Sequence, residues 1–180
     1  MKKIIGLVGE TGSGKDVFCE YVKDNYDEVS CFRFSQPLSE VLGIFFNDIK
    51  KEDQQWLGTV LRERFGNNIL GEAIRKKVNS INSGIVILNG VRAREEFLMI
   101  KEMGGNLIYV TADSKLRWER LQDREEKKDD KSSFEDFLKR EQAQTEMFIK
   151  ELGENSDHRL ENNGTKEEYH AKIKELISNL

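Results

Sequence analysis

One stretch decides the fold of this chain, and it reads Gly9-Glu10-Thr11-Gly12-Ser13-Gly14-Lys15-Asp16. The apolar run Ile4–Val8 precedes it, and an amphipathic stretch from Val17 to Tyr26 follows it. This order of strand, glycine-rich loop and helix is the context of a phosphate-binding loop, or P-loop. The glycines let the backbone wrap an anion with its N–H groups, the helix N-terminus adds positive potential, and Lys15 reaches the β- and γ-phosphates. The stretch therefore predicts a nucleotide site.

Asp16 stands where a P-loop usually carries a hydroxyl residue that binds Mg²⁺. A bare carboxylate about 4 Å from a phosphate oxygen would be repelled by about 4 kcal/mol at an effective dielectric of about 20, so it needs a cation between them or must turn away. Asn89, after the predicted third strand, holds a position where P-loop proteins often carry a metal-associated aspartate. Two interpretations stay open. Either Asp16 is a metal ligand and Asn89 holds a metal-bound water, or Asp16 only complements the helix dipole.

The composition suits a globular protein, with 37% apolar and 34% charged residues in a length of 180. The net charge of −4 argues against general nucleic-acid binding, because binders of the phosphate backbone are normally basic. Cys19 and Cys31 lack metal-ligand spacing, so we expect small core residues in a reducing compartment. The sequence predicts neither a signal peptide nor a membrane span, and we expect a cytoplasmic protein.

Strand and helix patterns alternate along the chain and predict five β–α units. The predicted strands cover residues 3–8, 29–34, 85–88, 107–111 and 158–161. A capping box at Thr165 and Glu168 predicts the start of the last helix. These patterns predict an α/β fold of three layers, in which helices cover both faces of a five-stranded parallel sheet. We expect a single domain over residues 1–180.

Two long excursions interrupt the alternation, after the second and the fourth strand. In the first, over about residues 36–80, apolar side chains recur at helical spacing from Leu38 to Ile49, and two more helical stretches follow. The second, over about residues 122–140, contains the charged run Glu125–Lys131 and then a long helix that is predicted to begin at a cap on Ser132.

Arginines lie at the predicted strand ends and in both excursions. Ligands of parallel sheets bind beyond the carboxyl ends of the strands, and guanidinium groups suit phosphate oxygens. The arginines are Arg33, Arg62, Arg64, Arg92, Arg117, Arg120, Arg124 and Arg140. After the second strand the chain reads Arg33-Phe34-Ser35-Gln36-Pro37, without a carboxylate that could take a proton from an alcohol. This favours a phosphate as the acceptor of a phosphoryl group, because such an acceptor needs cations and no strong base.

The chain resembles the P-loop nucleoside monophosphate kinases, and most closely their deoxynucleoside monophosphate kinase and dephospho-CoA kinase-like branch. The resemblance covers most of the chain and rests on Gly12–Asp16, Arg33–Leu38, Gln55–Thr59, Leu61–Gly66, Asn89–Arg92, Arg120–Arg124 and Asn162–Thr165. Aspartate after the P-loop lysine is familiar in that branch. Two residues depart from its pattern, Asn89 in place of an aspartate and Val17 in place of a threonine. The resemblance implies the strand order 2-3-1-4-5, ATP with Mg²⁺, an acceptor-binding first excursion and a second excursion that closes as a lid.

The resemblance and the residue chemistry together assign four groups of residues. The predicted ATP-binding residues are Gly9, Glu10, Thr11, Gly12, Ser13, Gly14, Lys15, Asp16, Val17, Asn163 and Gly164. The predicted acceptor-binding residues are Arg33, Ser35, Leu38, Arg62, Arg64 and Arg92. The predicted catalytic residues are Lys15, Arg92, Arg120, Arg124 and Arg140. The predicted metal site consists of Asp16 and, through a water, Asn89.

The leading functional prediction is a kinase that transfers the γ-phosphoryl group of ATP to a nucleoside or deoxynucleoside monophosphate. Dephospho-CoA kinase is an alternative, although the family members with that activity typically carry an aspartate just after the second strand. A regulatory nucleotide-binding protein with weak turnover is a third interpretation, because Asn89 replaces the usual carboxylate. We expect nucleotides as partners, no nucleic acid, no membrane, and a monomer or homodimer.

Overall fold

A computed structural model describes residues 2–124, 133–141 and 144–180, with side chains except at positions 51, 124, 140 and 144–147. The strands are β1 (Lys2–Val8), β2 (Val29–Arg33), β3 (Gly84–Val91), β4 (Asn106–Thr111) and β5 (His158–Glu161). The helices are α1 (Lys15–Asn25), α2 (Gln36–Gly43), α3 (Lys51–Phe65), α4 (Ile69–Asn79), α5 (Arg94–Glu102), α6 (Ser114–Arg124), α7 (Phe134–Glu141), α8 (Gln144–Glu154) and α9 (Lys166–Asn179).

The five strands form one parallel sheet in the order β2-β3-β1-β4-β5. The predicted fold class and strand order are therefore confirmed. In the centre of the sheet, Gly6 lies opposite Leu88 on one side and Leu107 on the other. All strands end at the same edge, so the loop after β1, the end of β2 and the end of β3 lie side by side there.

Each face of the sheet is covered by helices, because the side chains of β1 alternate between two buried clusters. Ile4 and Val8 pack on one face, and Ile5 and Leu7 pack on the other. The first cluster also includes Ile74, Val78, Ile100, Ile149 and Leu152 from α4, α5 and α8. The second also includes Phe18, Val22, Tyr169, Ile173 and Ile177 from α1 and α9. In the described ranges, no helix combines the length and apolarity that a bilayer crossing requires.

The helix that was predicted from Leu38 to Ile49 is shorter than its apolar pattern indicated. α2 ends at Gly43, and beyond it the side chains of Phe45 and Phe46 are 73% and 56% exposed. Leu38 and Leu42 do reach the core. Because packing on a core provides most of the stability of a short helix, the helix stops where its side chains lose the core surface and a glycine weakens its propensity.

The predicted caps agree with the structure at one helix and differ at another. Thr165 Oγ1 accepts the N–H of Glu168 at 3.2 Å, and Glu168 Oε2 accepts the N–H of Thr165 at 2.8 Å, so the capping box of α9 is confirmed. At α7 it is Ser133 whose Oγ accepts a helix N–H, that of Asp136 at 3.1 Å. The predicted cap residue Ser132 and the charged run before it lie outside the described residues.

Candidate active site

The loop between β1 and α1 curls tightly, and two of its glycines have backbone angles that side chains rarely adopt. Gly12 has φ +81° and Gly14 has φ +106°. A Cβ on Gly12 would lie 2.8 Å from the carbonyl oxygen of Arg117, and one on Gly14 would lie 2.3 Å from Nδ2 of Asn162. The loop therefore depends on these glycines both for its curvature and for its close contact with the elements around it.

Lys15 folds back over this loop. Its Nζ donates to the carbonyl oxygens of Gly9 and Glu10, both at 2.7 Å, and lies 3.4 Å from Oγ of Ser13. The ammonium group is thus held at the concave side of a loop that leads into a helix N-terminus. Backbone amides and a cation in this arrangement attract an anion such as a phosphate chain.

Asp16 joins three elements at the edge of the sheet. Its Oδ1 accepts a hydrogen bond from Nη2 of Arg33 and another from Nδ2 of Asn89, both at 2.7 Å. Burial acts to raise the pKa of Asp16, but the ion pair with Arg33, the hydrogen bond from Asn89 and the charge of Lys15 together hold that pKa below its ordinary value. Asp16 is therefore a carboxylate at neutral pH.

The ion pair between Asp16 and Arg33 is open to solvent, with 47% and 64% of the respective side chains exposed. Exposed pairs contribute only about 0–1 kcal/mol, so a ligand can exchange with either partner at little cost. Arg33 was predicted to bind the acceptor. In the structure its guanidinium pairs with Asp16, a residue that was predicted to bind ATP.

The chemistry around Asp16 fits Mg²⁺, although the described residues offer only a partial ligand set. Among the residues that the structure describes, no group of three or more His, Cys, Asp or Glu side chains could hold a metal ion. Mg²⁺ in nucleotide sites commonly takes one or two carboxylates and completes its shell with phosphate oxygens and water. Asp16, beside the P-loop lysine, could supply such a carboxylate, while Asn89 orients it through its amide N–H.

The side chain of Arg117, on α6, is buried and connects the P-loop with α7. Only 5% of its surface is exposed. Its Nε donates to the carbonyl oxygen of Ala112 at 2.8 Å, and its Nη1 donates to that of Thr11 at 3.3 Å. The same guanidinium pairs with the carboxylate of Glu141 and lies over the ring of Phe137, 5.5 Å from its centroid. These contacts indicate that Arg117 supports the loop and α7 rather than a ligand.

Side chains from α6, α9 and the segment between β5 and α9 stabilise the end of the loop that leads into α1. They are Arg120, Tyr169 and Asn162. Asn162 Nδ2 donates to the carbonyl oxygen of Ser13 at 2.9 Å, and Tyr169 Oη donates to that of Gly14 at 3.2 Å. Arg120 Nη2 donates in turn to the backbone and side-chain oxygens of Asn162 at 2.9 and 3.3 Å. Burial lowers the pKa of Arg120, and its Nη1 has no hydrogen-bond partner among the described residues. Arg120 thus keeps one donor for which the described chain supplies no acceptor.

The carboxylate of Glu96 binds the backbone after β3 and is influenced by the charges of Arg62 and Arg92. Oε2 of this carboxylate accepts the backbone N–H groups of Arg92 and Ala93 at 2.8 and 3.2 Å. Burial raises the pKa of Glu96, while these N–H donors and the charges of Arg62 and Arg92 act in the opposite direction. The two arginines were predicted to bind the acceptor, and the charges of both influence this one carboxylate.

Other predicted acceptor-binding residues lie apart from this pair. Arg64 points along the end of α3, with its guanidinium 6.0 Å from the ring centroid of Phe65. Leu38 is buried, and Ser35 is exposed at the start of α2, where its carbonyl oxygen accepts the N–H groups of the first turn. Their proposed contact with an acceptor stays a prediction.

The remaining predicted ATP-binding residues that the structure describes contact other parts of the protein. Asn163 Oδ1 accepts the N–H of Asp113 at 2.8 Å, and Gly164 packs against the capping carboxylate of Glu168. Glu10 accepts a hydrogen bond from Oη of Tyr109, and burial together with this bond raises the pKa of Tyr109 to about 12. Val17 packs partly against the core. The side chains of Arg124 and Arg140 lie outside the described residues, as does much of the predicted lid.

The sequence did not predict the observed contacts of Arg117, Asn162 and Tyr169 with the loop, or those of Glu96 with the backbone after β3. Arg117 was recognised only as one of several arginines, and Asn162 only as part of the segment before α9. Glu96 accepts the backbone N–H of Ala93, but Ala93 has no side-chain oxygen to complete a capping box, so the sequence carries no clear signal. Asn162 and Tyr169 carry no comparable local signal.

Comparison with known proteins identifies the family. The family model described as an AAA domain matches residues 5–147 of this chain. A UPF0200 protein of Sulfurisphaera tokodaii is 30% identical over 181 residues, which cover 99% of this chain and 97% of the relative. A UPF0200 protein of Thermococcus kodakarensis is 27% identical over 184 residues, which cover 98% and 97%. The chain therefore belongs to the AAA domain family, and it is similar to the UPF0200 proteins over nearly its whole length.

Solved structures of kinases have the same fold. Shikimate kinase from Bacteroides thetaiotaomicron superposes with a TM-score of 0.65 at 14% identity, covering 98% of each chain. Dephospho-CoA kinase from Campylobacter jejuni superposes with a TM-score of 0.54 at 16% identity, covering 99% of this chain and 97% of the other. The predicted P-loop kinase-like fold is confirmed, and at these identities the similarity concerns the fold alone.

Proposed function

We propose that this member of the AAA domain family is an ATP-dependent kinase that transfers the γ-phosphoryl group to a nucleoside or deoxynucleoside monophosphate. The observation that carries the proposal is the ammonium of Lys15, held by the carbonyl oxygens of Gly9 and Glu10 at the mouth of α1. The proposal treats residues 1–180 as one P-loop kinase domain, with an acceptor-binding insertion over about 36–80 and a lid over about 122–140.

On the donor side, the chain would hold ATP by charge and backbone rather than by covalent chemistry. The N–H groups at the start of α1 and the ammonium of Lys15 would neutralise the phosphate chain. Asp16 and Asn89 would hold Mg²⁺ on the same side, and the metal would reduce the negative charge of the phosphates. Arg120, Arg124 and Arg140 would approach the transferring group as the lid excludes water.

On the acceptor side, Arg62 and Arg92 support a phosphate rather than an alcohol. The charges of both act on the carboxylate of Glu96, although the two arginines belong to separate elements. A dianionic monophosphate could take up the same pair of cations. Residues 34–36 after β2 are Phe, Ser and Gln, so they offer no carboxylate to deprotonate an alcohol.

An acceptor panel tests the proposal. The full chain with MgATP would be offered ribonucleoside and deoxyribonucleoside monophosphates, dephospho-CoA and shikimate, and acceptor-dependent ADP formation would be measured. We expect turnover with at least one monophosphate, its loss in Lys15→Ala, and its retention in Lys23→Ala, which changes an exposed lysine of the same helix. Transfer only to dephospho-CoA or shikimate would overturn the monophosphate acceptor. Tight ATP binding without transfer to any acceptor would overturn the kinase and favour a regulatory protein.

A further inference from the structure

The two cysteines of this chain face each other between the P-loop helix and the edge strand. Cys19 lies on α1 and Cys31 on β2, and their Sγ atoms are 2.7 Å apart. Both are free thiols in the structure. A disulfide requires the two sulfurs at about 2.05 Å, so a small movement would bring them to bonding distance. The sequence offers no third cysteine as a competing partner.

The two thiols have different surroundings. Cys19 is buried, whereas Cys31 is partly exposed on β2, which is the outermost strand on its side of the sheet. The hydrogen bond with Cys19 and the charges of Lys23 and Arg33 lower the pKa of Cys31, although burial and Asp16 act against them. The hydrogen bond and burial raise the pKa of Cys19. One thiol is therefore suited to attack a reagent, and the other to resolve the product.

We infer that Cys19 and Cys31 form a redox-active pair that closes to a reversible intrachain disulfide when it meets a small-molecule disulfide such as oxidised glutathione. The Cys31 thiolate attacks one sulfur of the reagent, forming a mixed disulfide and releasing one reduced thiol. Cys19 then loses its proton and attacks the Cys31 sulfur, which releases the second thiol. Two protein thiols are oxidised to one disulfide, and one small-molecule disulfide is reduced to two thiols.

The bond would join the element that carries Asp16 to the element that carries Arg33. Cys19 lies one helical turn after Asp16, and Cys31 lies two residues before Arg33 on the same strand. The crosslink would close a loop between residues 12 positions apart. A loop of this size restricts the unfolded chain enough to raise Tm by roughly 5–10 °C, provided that the bond forms without distortion.

The test uses the intact protein and does not depend on its catalytic activity. Reduced protein would be incubated with oxidised glutathione under native conditions, freed of reagent, and analysed by intact mass, denatured thiol count and thermal unfolding. We expect the loss of two hydrogen atoms per chain, no glutathione adduct, no free thiol and a higher Tm, all reversed by dithiothreitol. Persistent glutathione on either cysteine of the wild type, a disulfide between two chains, or two unreacted thiols would overturn the inference.

Single variants separate the two roles. Cys19→Ser should accumulate a stable glutathione adduct on Cys31, because the resolving thiol is missing. Cys31→Ser should react at Cys19 at least about 10-fold more slowly, since that thiol is buried on α1. Equal rates in the two variants would contradict the assigned order of attack, and the mass of the oxidised wild type tests the bond itself even if a variant folds poorly. Because no step involves ATP, failure here leaves the proposed kinase function unaffected.

Discussion

Asp16 shares one carboxylate oxygen between Arg33 and Asn89, and this arrangement gives the unusual P-loop residue a physical context. A serine or threonine at this position would offer a neutral hydroxyl. Asp16 instead offers a charge, and the amide of Asn89 fits beside it where a second carboxylate would be repelled. The unusual residues at positions 16 and 89 are thus linked by one hydrogen bond.

If Asp16 is a metal ligand, its removal should change the response to Mg²⁺. We predict that Asp16→Asn raises the Mg²⁺ concentration for half-maximal turnover by at least about 10-fold, because a neutral amide binds a divalent cation poorly. A Mg²⁺ titration of ADP formation would measure this. Asp24→Asn, an exposed substitution on the same helix, serves as the control. An unchanged Mg²⁺ requirement in Asp16→Asn would leave the helix-dipole interpretation.

The lowered pKa of Asp16 predicts that the stability of the protein depends on pH. The pKa of this carboxylate is lowered below 3.8, so its contribution to folding is complete above that pH and is lost as the pH falls through the folded-state pKa. Because the ion pair is exposed, the contribution should stay under about 1 kcal/mol. Urea unfolding of wild type and Asp16→Asn should differ in unfolding free energy at about pH 7, and the difference should shrink toward about pH 3. A difference that grows on acidification would contradict the lowered pKa.

Arg62 and Arg64 lie on the same helix but differ in their surroundings. The charges of Arg62 and Arg92 act to lower the pKa of Glu96, whereas the guanidinium of Arg64 lies 6.0 Å from the ring centroid of Phe65. We predict that Arg62→Ala raises the KM for the acceptor at least about 10-fold, because a charged contact to phosphate is lost, and leaves the KM for ATP unchanged. As a control, Arg75→Ala removes a guanidinium that pairs with Glu102 and should change either KM by less than about 3-fold. Steady-state kinetics with the preferred acceptor would measure both, and equal effects would contradict the separate roles.

At the scale of elements, the P-loop is held by parts of the chain that are distant in sequence. Asn162, between β5 and α9, binds the carbonyl oxygen of Ser13 although 149 residues separate them. Tyr169 on α9 and Arg117 on α6 bind neighbouring loop carbonyl groups. The shape of the loop is therefore a property of the folded sheet and its helices as well as of the glycines.

Asn162 should therefore contribute to stability more than its neighbour. We predict that Asn162→Ala lowers the free energy of unfolding by about 1–3 kcal/mol, because the carbonyl oxygen of Ser13 loses its side-chain donor in a buried place. Asn163→Ala, which changes an exposed amide, should cost under about 1 kcal/mol. Urea unfolding monitored by circular dichroism would measure both variants. Equal losses of unfolding free energy in the two variants would show that the buried hydrogen bond from Asn162 to Ser13 does not stabilise the protein more than an exposed amide does.

Most helices and strands could be predicted because residues close together in the sequence determine them. The glycines and Lys15 identify the P-loop by themselves, and the box of Thr165 and Glu168 sets the start of α9. The pattern failed where tertiary contacts decide, as at Phe45, whose helical spacing continues although no core surface remains for it. The sequence did not predict the contact of Asn162 with Ser13. Asn162 comes close to the P-loop only because β5 pairs with β4 in the folded sheet.

At the scale of the whole molecule, the parallel sheet brings the chemistry to one edge. The P-loop follows the central strand β1, while Arg33 and Asn89 come from β2 and β3 on one side of it. The strand order was expected from the resemblance to nucleoside monophosphate kinases, and the sheet has that order. The acceptor was not determined by the fold, because structures of kinases with different acceptors share it.

The central claim is that a nucleoside triphosphate binds in the P-loop against Lys15, and isothermal titration calorimetry with MgATP tests it most directly. We predict one binding site per chain in the wild type, a Kd at least about 10-fold weaker in Lys15→Ala, and an unchanged Kd in Lys23→Ala. Absence of MgATP binding to the folded wild type, or equal affinity in Lys15→Ala, would contradict the claim.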